Sequence, residues 1–139
     1  MHFTLYSLDG VKFDDQVYEV IIPTLDGIIG VLPGHMPLIS VATDGVILVR
    51  RTATERDDQR DVFAISGGTV QVENDQLRVL VDEADSADSL NEKEVQDAYE
   101  RAKNLKANAK DHVSLQNAQA MMDRHAVRLQ VASMKRRKK

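Results

Sequence analysis

The chain has 139 residues, its last proline is Pro37 and its last glycine is Gly68. These two residue types punctuate secondary structure, proline by fixing φ and removing a donor, glycine by admitting conformations closed to other residues. Five of the six aromatics, Phe3, Tyr6, Phe13, Tyr18 and Phe63, also lie in the first half, with Tyr99 alone beyond it. From about Ser86 onward the chain is rich in Ala, Lys, Asp, Glu, Gln and Met, with nothing to break a helix. The order is therefore a β module followed by an α module.

Turn signals are spaced evenly through the β module: Asp9-Gly10, Asp26-Gly27, Asp44-Gly45, Gly67-Gly68 and Asn74-Asp75. Between them lie short β-type runs: Phe3–Leu8, Val17–Ile22, Ile28–Leu32, Leu38–Ala42, Val46–Arg51, Asp61–Ser66, Thr69–Glu73 and Gln76–Val81. Alternation puts Leu77, Val79 and Val81 on one face, and Val70 with Val72 on another. Many short strands with regular turns predict an antiparallel β-sandwich or flattened barrel. Residues 52–60 are polar and crowded with charge, which fits an exposed hairpin loop.

In the α module, Ser89-Leu90-Asn91-Glu92 has the form of a capping box and marks a helix start. Val95, Ala98, Tyr99, Ala102, Leu105 and Ala109 then recur at helical spacing. The stripe loses phase at Lys110-Asp111-His112, which predicts an interhelical turn. Leu115, Ala118, Met122, His125, Leu129 and Ala132 continue in steps of three and four, so the pair reads as an antiparallel helical hairpin. Its seam is rich in alanine. A buried Leu or Met contributes about 1.5–3 kcal/mol and an alanine methyl roughly a third of that, so packed and opened arrangements are expected to lie within a few kcal/mol.

The formal charge of −4 hides an asymmetry. Residues 111–139 carry seven basic side chains against two acidic ones, leaving the rest strongly acidic. A basic end on an acidic body either meets an acidic surface or, at 135–139, frays in solvent. No aromatic platform accompanies the basic tail, which argues against nucleic acid. No cysteine is present, which rules out disulfides and Cys-based metal sites and fits a reducing compartment. Neither a signal peptide nor an apolar run of the roughly 20 residues needed for a membrane span is expected.

Candidates for chemistry are few. His35 beside Ser66 and Asp61 has no spacing that demands a triad, and Ser66-Gly67-Gly68 reads better as a hairpin turn than as a nucleophile elbow. His2, His112 and His125 lack metal-ligand spacing; His112 is expected in the turn and His125 packed on the seam. No phosphate-cradling glycine loop occurs. Arg124 and Arg128, four residues apart, share a helix face. They form either a solvated basic face or a contact to phosphate or to a partner's carboxylates.

One stretch is more specific. Gly30-Val31-Leu32-Pro33-Gly34-His35-Met36-Pro37-Leu38 packs two prolines, two further glycines beside them and a histidine into nine residues. Such a loop is stiff and presents His35 and Met36 at a defined place. With Asp44-Gly45, Ser66-Gly67-Gly68, Leu80-Val81-Asp82-Glu83-Ala84-Asp85 and the stretch from Ala118 through Arg124 and Arg128-Leu129 to Met134-Lys135, in that order, it resembles the ε subunit family of F-type ATP synthases, covering nearly the whole chain.

The resemblance implies a ten-stranded β-sandwich (1–86) that binds the γ subunit and the membrane ring of c subunits. It further implies a regulatory two-helix hairpin (87–139) able to reach the α/β catalytic head and slow ATP hydrolysis. The implied role is coupling through the central stalk, with no catalytic residue and no metal in this chain. The chain would lie peripherally on the cytoplasmic face of the bacterial membrane without inserting. Gly34, His35 and Met36 would face the ring, as would Ile28, which stands where some members carry a ring-contacting glutamate. Arg124 and Arg128 would face an acidic loop of the head. Some members bind ATP through an Ile/Leu-Asp-x-x-Arg-Ala segment and two arginines. Here Leu90, Arg124 and Arg128 match, but Asn91 replaces the aspartate and Glu94-Val95 replaces Arg-Ala. A carboxylate facing phosphate adds repulsion, so weak or absent ATP binding, and no cofactor, is expected. An alternative from another class is a β-sandwich binding module with a helical dimerisation tail.

Overall fold

A computed structural model describes residues 1–87, 90 and 92–138, without the side chains of 92 and 135–138. The proposed capping residues Ser89 and Asn91 lie outside the described residues. The strands are β1 (His2–Ser7), β2 (Gly10–Gln16), β3 (Glu19–Thr24), β4 (Gly27–Val31), β5 (Leu38–Ala42), β6 (Gly45–Arg50), β7 (Asp61–Ile65), β8 (Gly68–Glu73), β9 (Gln76–Val81) and β10 (Ala84–Ser86). Two helices follow, α1 (Glu92–Ala107) and α2 (His112–Lys138).

The strands form two layers, β10-β7-β6-β3-β4 and β5-β8-β9-β1-β2, joined where Thr24 of β3 meets Ala42 of β5. Every described pairing is antiparallel except β1 with β9. The expected β-sandwich is therefore present. No apolar run marks β2 or β10 in the sequence, because β2 turns only Phe13 inward and β10 is three residues long. The Asn74-Asp75 turn has φ of 52° and 60°, the left-handed pair that lets a two-residue hairpin follow strand twist.

The inward faces of both layers fill the first core. Phe3 lies 5.3 Å from Phe13, whose ring meets Phe63 edge-on at 5.8 Å. Leu77, Val79, Val81, Val70 and Val72 point into this core, as their alternation predicts. The loop at 52–60 connects β6 to β7 and includes a short 3-10 turn, Asp57–Gln59. Its base is tied by Arg50 to Glu19 and Asp57, and by Arg51 to Asp61 and Asp15.

A second core lies outside the first layer. Val62 and Ala64 of β7, with Val46 and Leu48 of β6, pack against Val127, Leu129, Val131, Ala132 and Met134 of α2. This explains why β7 is buried on both faces. The helical seam departs from expectation at one end. Leu105 is 55% exposed and Leu115 40%, whereas Val131, off the predicted stripe, is fully buried. Physically, α2 divides its apolar surface between α1 and the sheet, and among the described residues none of the second core comes from the turn end of the hairpin. The turn occupies residues 108–111, and His112, expected within it, begins α2. Asp111 Oδ1 accepts from the Ser114 amide at 2.7 Å, a bond that holds the Asp111 carboxyl below its usual range.

Candidate functional site

Two regions collect the candidate residues. The first is the proline-glycine loop between β4 and β5. Val31 anchors its start in the core. Gly34 has φ of +81°, and its amide donates to Asp75 Oδ1 at 3.1 Å, tying the loop to the β8–β9 hairpin. The other Asp75 oxygen sits 3.6 Å from the chain's amino terminus. A turn closes where the His35 amide donates to the Leu32 carbonyl at 3.1 Å, and His35 Nδ1 lies 2.7 Å from the Met36 carbonyl. In the loop Met36 is 77% exposed and Leu32 43%; Ile28, outside the loop at the start of β4 and opposite Pro23, is also 77% exposed. The loop thus offers apolar side chains on a fixed frame.

The imagined triad does not form. Ser66 Oγ accepts from the Glu83 amide, Asp61 is paired with Arg51, and His35 is engaged by its own loop.

The second region lies between α2 and the β9–β10 edge. Arg124 Nη1 is 3.5 Å from Glu83 Oε1, and Arg128 Nε is 3.3 Å from Asp85 Oδ2. Ala64, Ile65 and Ser66 complete the lining of a cavity of about 10 Å³, room for no more than a single water. The arginine pair therefore faces carboxylates of its own chain. Leu90 is buried in the second core, and Asn91 is outside the described residues. His125 is held below its usual pKa, first by burial and then by Arg128, with Arg124 and Arg101 acting the same way and Glu83 opposing. Arg128 Nη1 donates to His125 Nδ1 at 3.4 Å, a bond that requires that nitrogen unprotonated.

Sequence reasoning named the arginines but missed Glu83 and Asp85 as their partners. It also missed an apolar row across the outer face of the second layer. The register aligns Val41 with Thr69, Thr69 with Leu80, Leu80 with Tyr6 and Tyr6 with Val11. Val41, Leu80 and Val11 are each about half exposed, at 47, 52 and 56%. Only Leu80, set between buried Val79 and Val81, carries a full alternation signal; Val11 lies between exposed Gly10 and Lys12.

Residues 1–87 match the family described as the ATP synthase delta/epsilon chain, β-sandwich domain. The ATP synthase epsilon chain of Halalkalibacterium halodurans is 29% identical over 133 residues, 95% of this chain and 96% of that one. That of Prochlorococcus marinus (strain MIT 9211) is 35% identical over 105 residues, 74% of each. Among solved structures, a chain of the Euglena gracilis mitochondrial ATP synthase, in its OSCP/F1/c-ring portion, superposes with a TM-score of 0.77 at 21% identity. The alignment covers 94% of this chain and 79% of that one, and it speaks to the fold.

Proposed function

The chain belongs to the ATP synthase delta/epsilon family, and we propose on that basis that it works as the central-stalk subunit of an F-type ATP synthase. The observation that carries this reading is likeness along nearly the whole of a full-length relative, helices included. In this role the sandwich, residues 1–86, binds γ and the c-subunit ring, and the hairpin, residues 87–139, regulates. The subunit transmits rotation and performs no catalysis. In support, His35, Asp61 and Ser66 are each committed to structural partners. Ile28 and Met36 would meet the ring through apolar contact, consistent with their exposure. The subunit would sit peripherally on the cytoplasmic face of the bacterial membrane; among the described residues no helix is long and apolar enough to cross one.

The hairpin is the proposed brake on ATP hydrolysis. Arg124 and Arg128 would engage the α/β head only after leaving Glu83 and Asp85. The test is ATP hydrolysis by the cognate head, reconstituted with the full chain or with a truncation ending at Ser86. Faster hydrolysis with the truncated form, at unchanged binding, is expected. Equal rates would make the hairpin structural, and failure of either form to bind the head would remove the stalk reading.

A further inference from the structure

The two ion pairs between α2 and the sandwich are matched in spacing. Residues two apart on an extended segment are separated by about 6.6 Å, at 3.3 Å per residue. Residues four apart on a helix are separated along its axis by about 6 Å, at 1.5 Å per residue. Glu83 and Asp85 have the first spacing and Arg124 and Arg128 the second, so both pairs close together when α2 lies along this edge.

The backbone that carries the two carboxylates is held in place independently of the helix. The Glu83 amide donates to Ser66 Oγ at 2.8 Å, and the Ser66 amide donates to the Glu83 carbonyl at 3.0 Å. Asp85 is paired with Ala64 in the β10–β7 ladder. The turn that supplies Ser66 is itself fixed, because the Gly67 amide donates to Asp44 Oδ1 at 2.8 Å. The Ser-Gly-Gly turn is thus the mount for the acidic edge.

The two rungs are unequal. Arg124 and Glu83 are both about half exposed, and exposed pairs contribute little. Arg128 and Asp85 are 29 and 32% exposed, and Arg128 Nε is sealed from solvent without a hydrogen bond among the described residues. A buried guanidinium nitrogen left without its carboxylate is costly. The ion pairs act beside an apolar contact in which Val62, Val127, Leu129 and Val131 pack with the smaller Ala64, Ala87 and Ala132.

We propose that Glu83 and Asp85, mounted by Ser66, form a two-rung ion-pair latch that holds α2 against the sandwich, with Asp85–Arg128 the dominant rung. Any acidic partner that recruits Arg124 and Arg128 must displace these carboxylates first. The latch rests on the contact within this chain and not on the stalk assignment. A chain that binds no stalk partner yet shows the effects below keeps the latch and loses the function.

The test is amide hydrogen exchange on the full chain, comparing residues 127–132 of α2 with the β8 and β9 amides as an internal control. Asp85→Asn is expected to speed exchange in α2 about tenfold, Glu83→Gln less, and 1 M salt to act in the same direction, with β8 and β9 unchanged. The exchanged pair Asp85→Arg with Arg128→Asp is expected to recover most of the protection that either change alone removes. Unchanged α2 exchange in Asp85→Asn would overturn the proposal. So would an exchanged pair no better protected than its single variants, which would mean that charge pairing was not what had been lost.

Discussion

Gly68→Ala is expected to be among the most damaging single substitutions in the chain, costing about 3 kcal/mol or preventing folding. A Cβ at this position would lie 1.9 Å from the Leu80 carbonyl oxygen and 2.8 Å from both Leu80 C and Val81 Cα. All three obstacles are backbone atoms in the β8–β9 ladder, where Gly68 pairs with Val81, so no rotamer change relieves the clash. The strand would have to leave the ladder, and Ser66 and Gly67 would move with it. Gly30→Ala is the control, because a Cβ there meets nothing within 4 Å. Urea unfolding reads both variants. A midpoint for Gly68→Ala as little changed as that of Gly30→Ala would contradict the account.

Phe3→Ala is expected to cost about 3–5 kcal/mol, the range for deleting a large aromatic from a core. Phe3 is fully buried, and its ring is the first of three that run through Phe13 of β2 to Phe63 of β7. That row crosses between layers, so truncation leaves a cavity where the two sheets are held face to face. Arg51 caps it, with its guanidinium 5.0 Å from the centre of the Phe13 ring. A small sandwich has little stability to spare. Thermal unfolding should therefore show a large drop in midpoint for Phe3→Ala. A loss under about 1 kcal/mol would mean that the core closes over the gap more easily than its packing implies.

What the sequence showed and what it hid follow from the range of each interaction. β5 and β9 were legible residue for residue, because turn chemistry bounds them and, in β9, alternation marks the buried face. β2 was not, since an edge strand with Lys12, Asp14 and Asp15 around one inward Phe13 carries the charge that discourages edge pairing instead of an apolar signal. On the helices, periodicity found the faces but not what covers them. Leu105 and Leu115 have the right phase and no sheet beneath them, while Val131 reaches the sheet from off the stripe. At the site, Arg124 and Arg128 were visible as one basic face. Their carboxylates lie 41 and 43 residues earlier in the chain, and nothing local in a sequence points across that separation. The stiff loop at Pro33 and Pro37 announced itself, yet its tie to Asp75 across 41 residues did not.

The most direct test of the stalk assignment is association of the full chain with its cognate γ subunit and c-subunit ring, followed by size-exclusion chromatography with light scattering. A stable complex containing one copy of the chain per γ is the predicted result, weakened when Ile28 and Met36 are replaced by aspartate. Elution of the chain alone, or as a dimer of itself, while γ stays on the ring would contradict it.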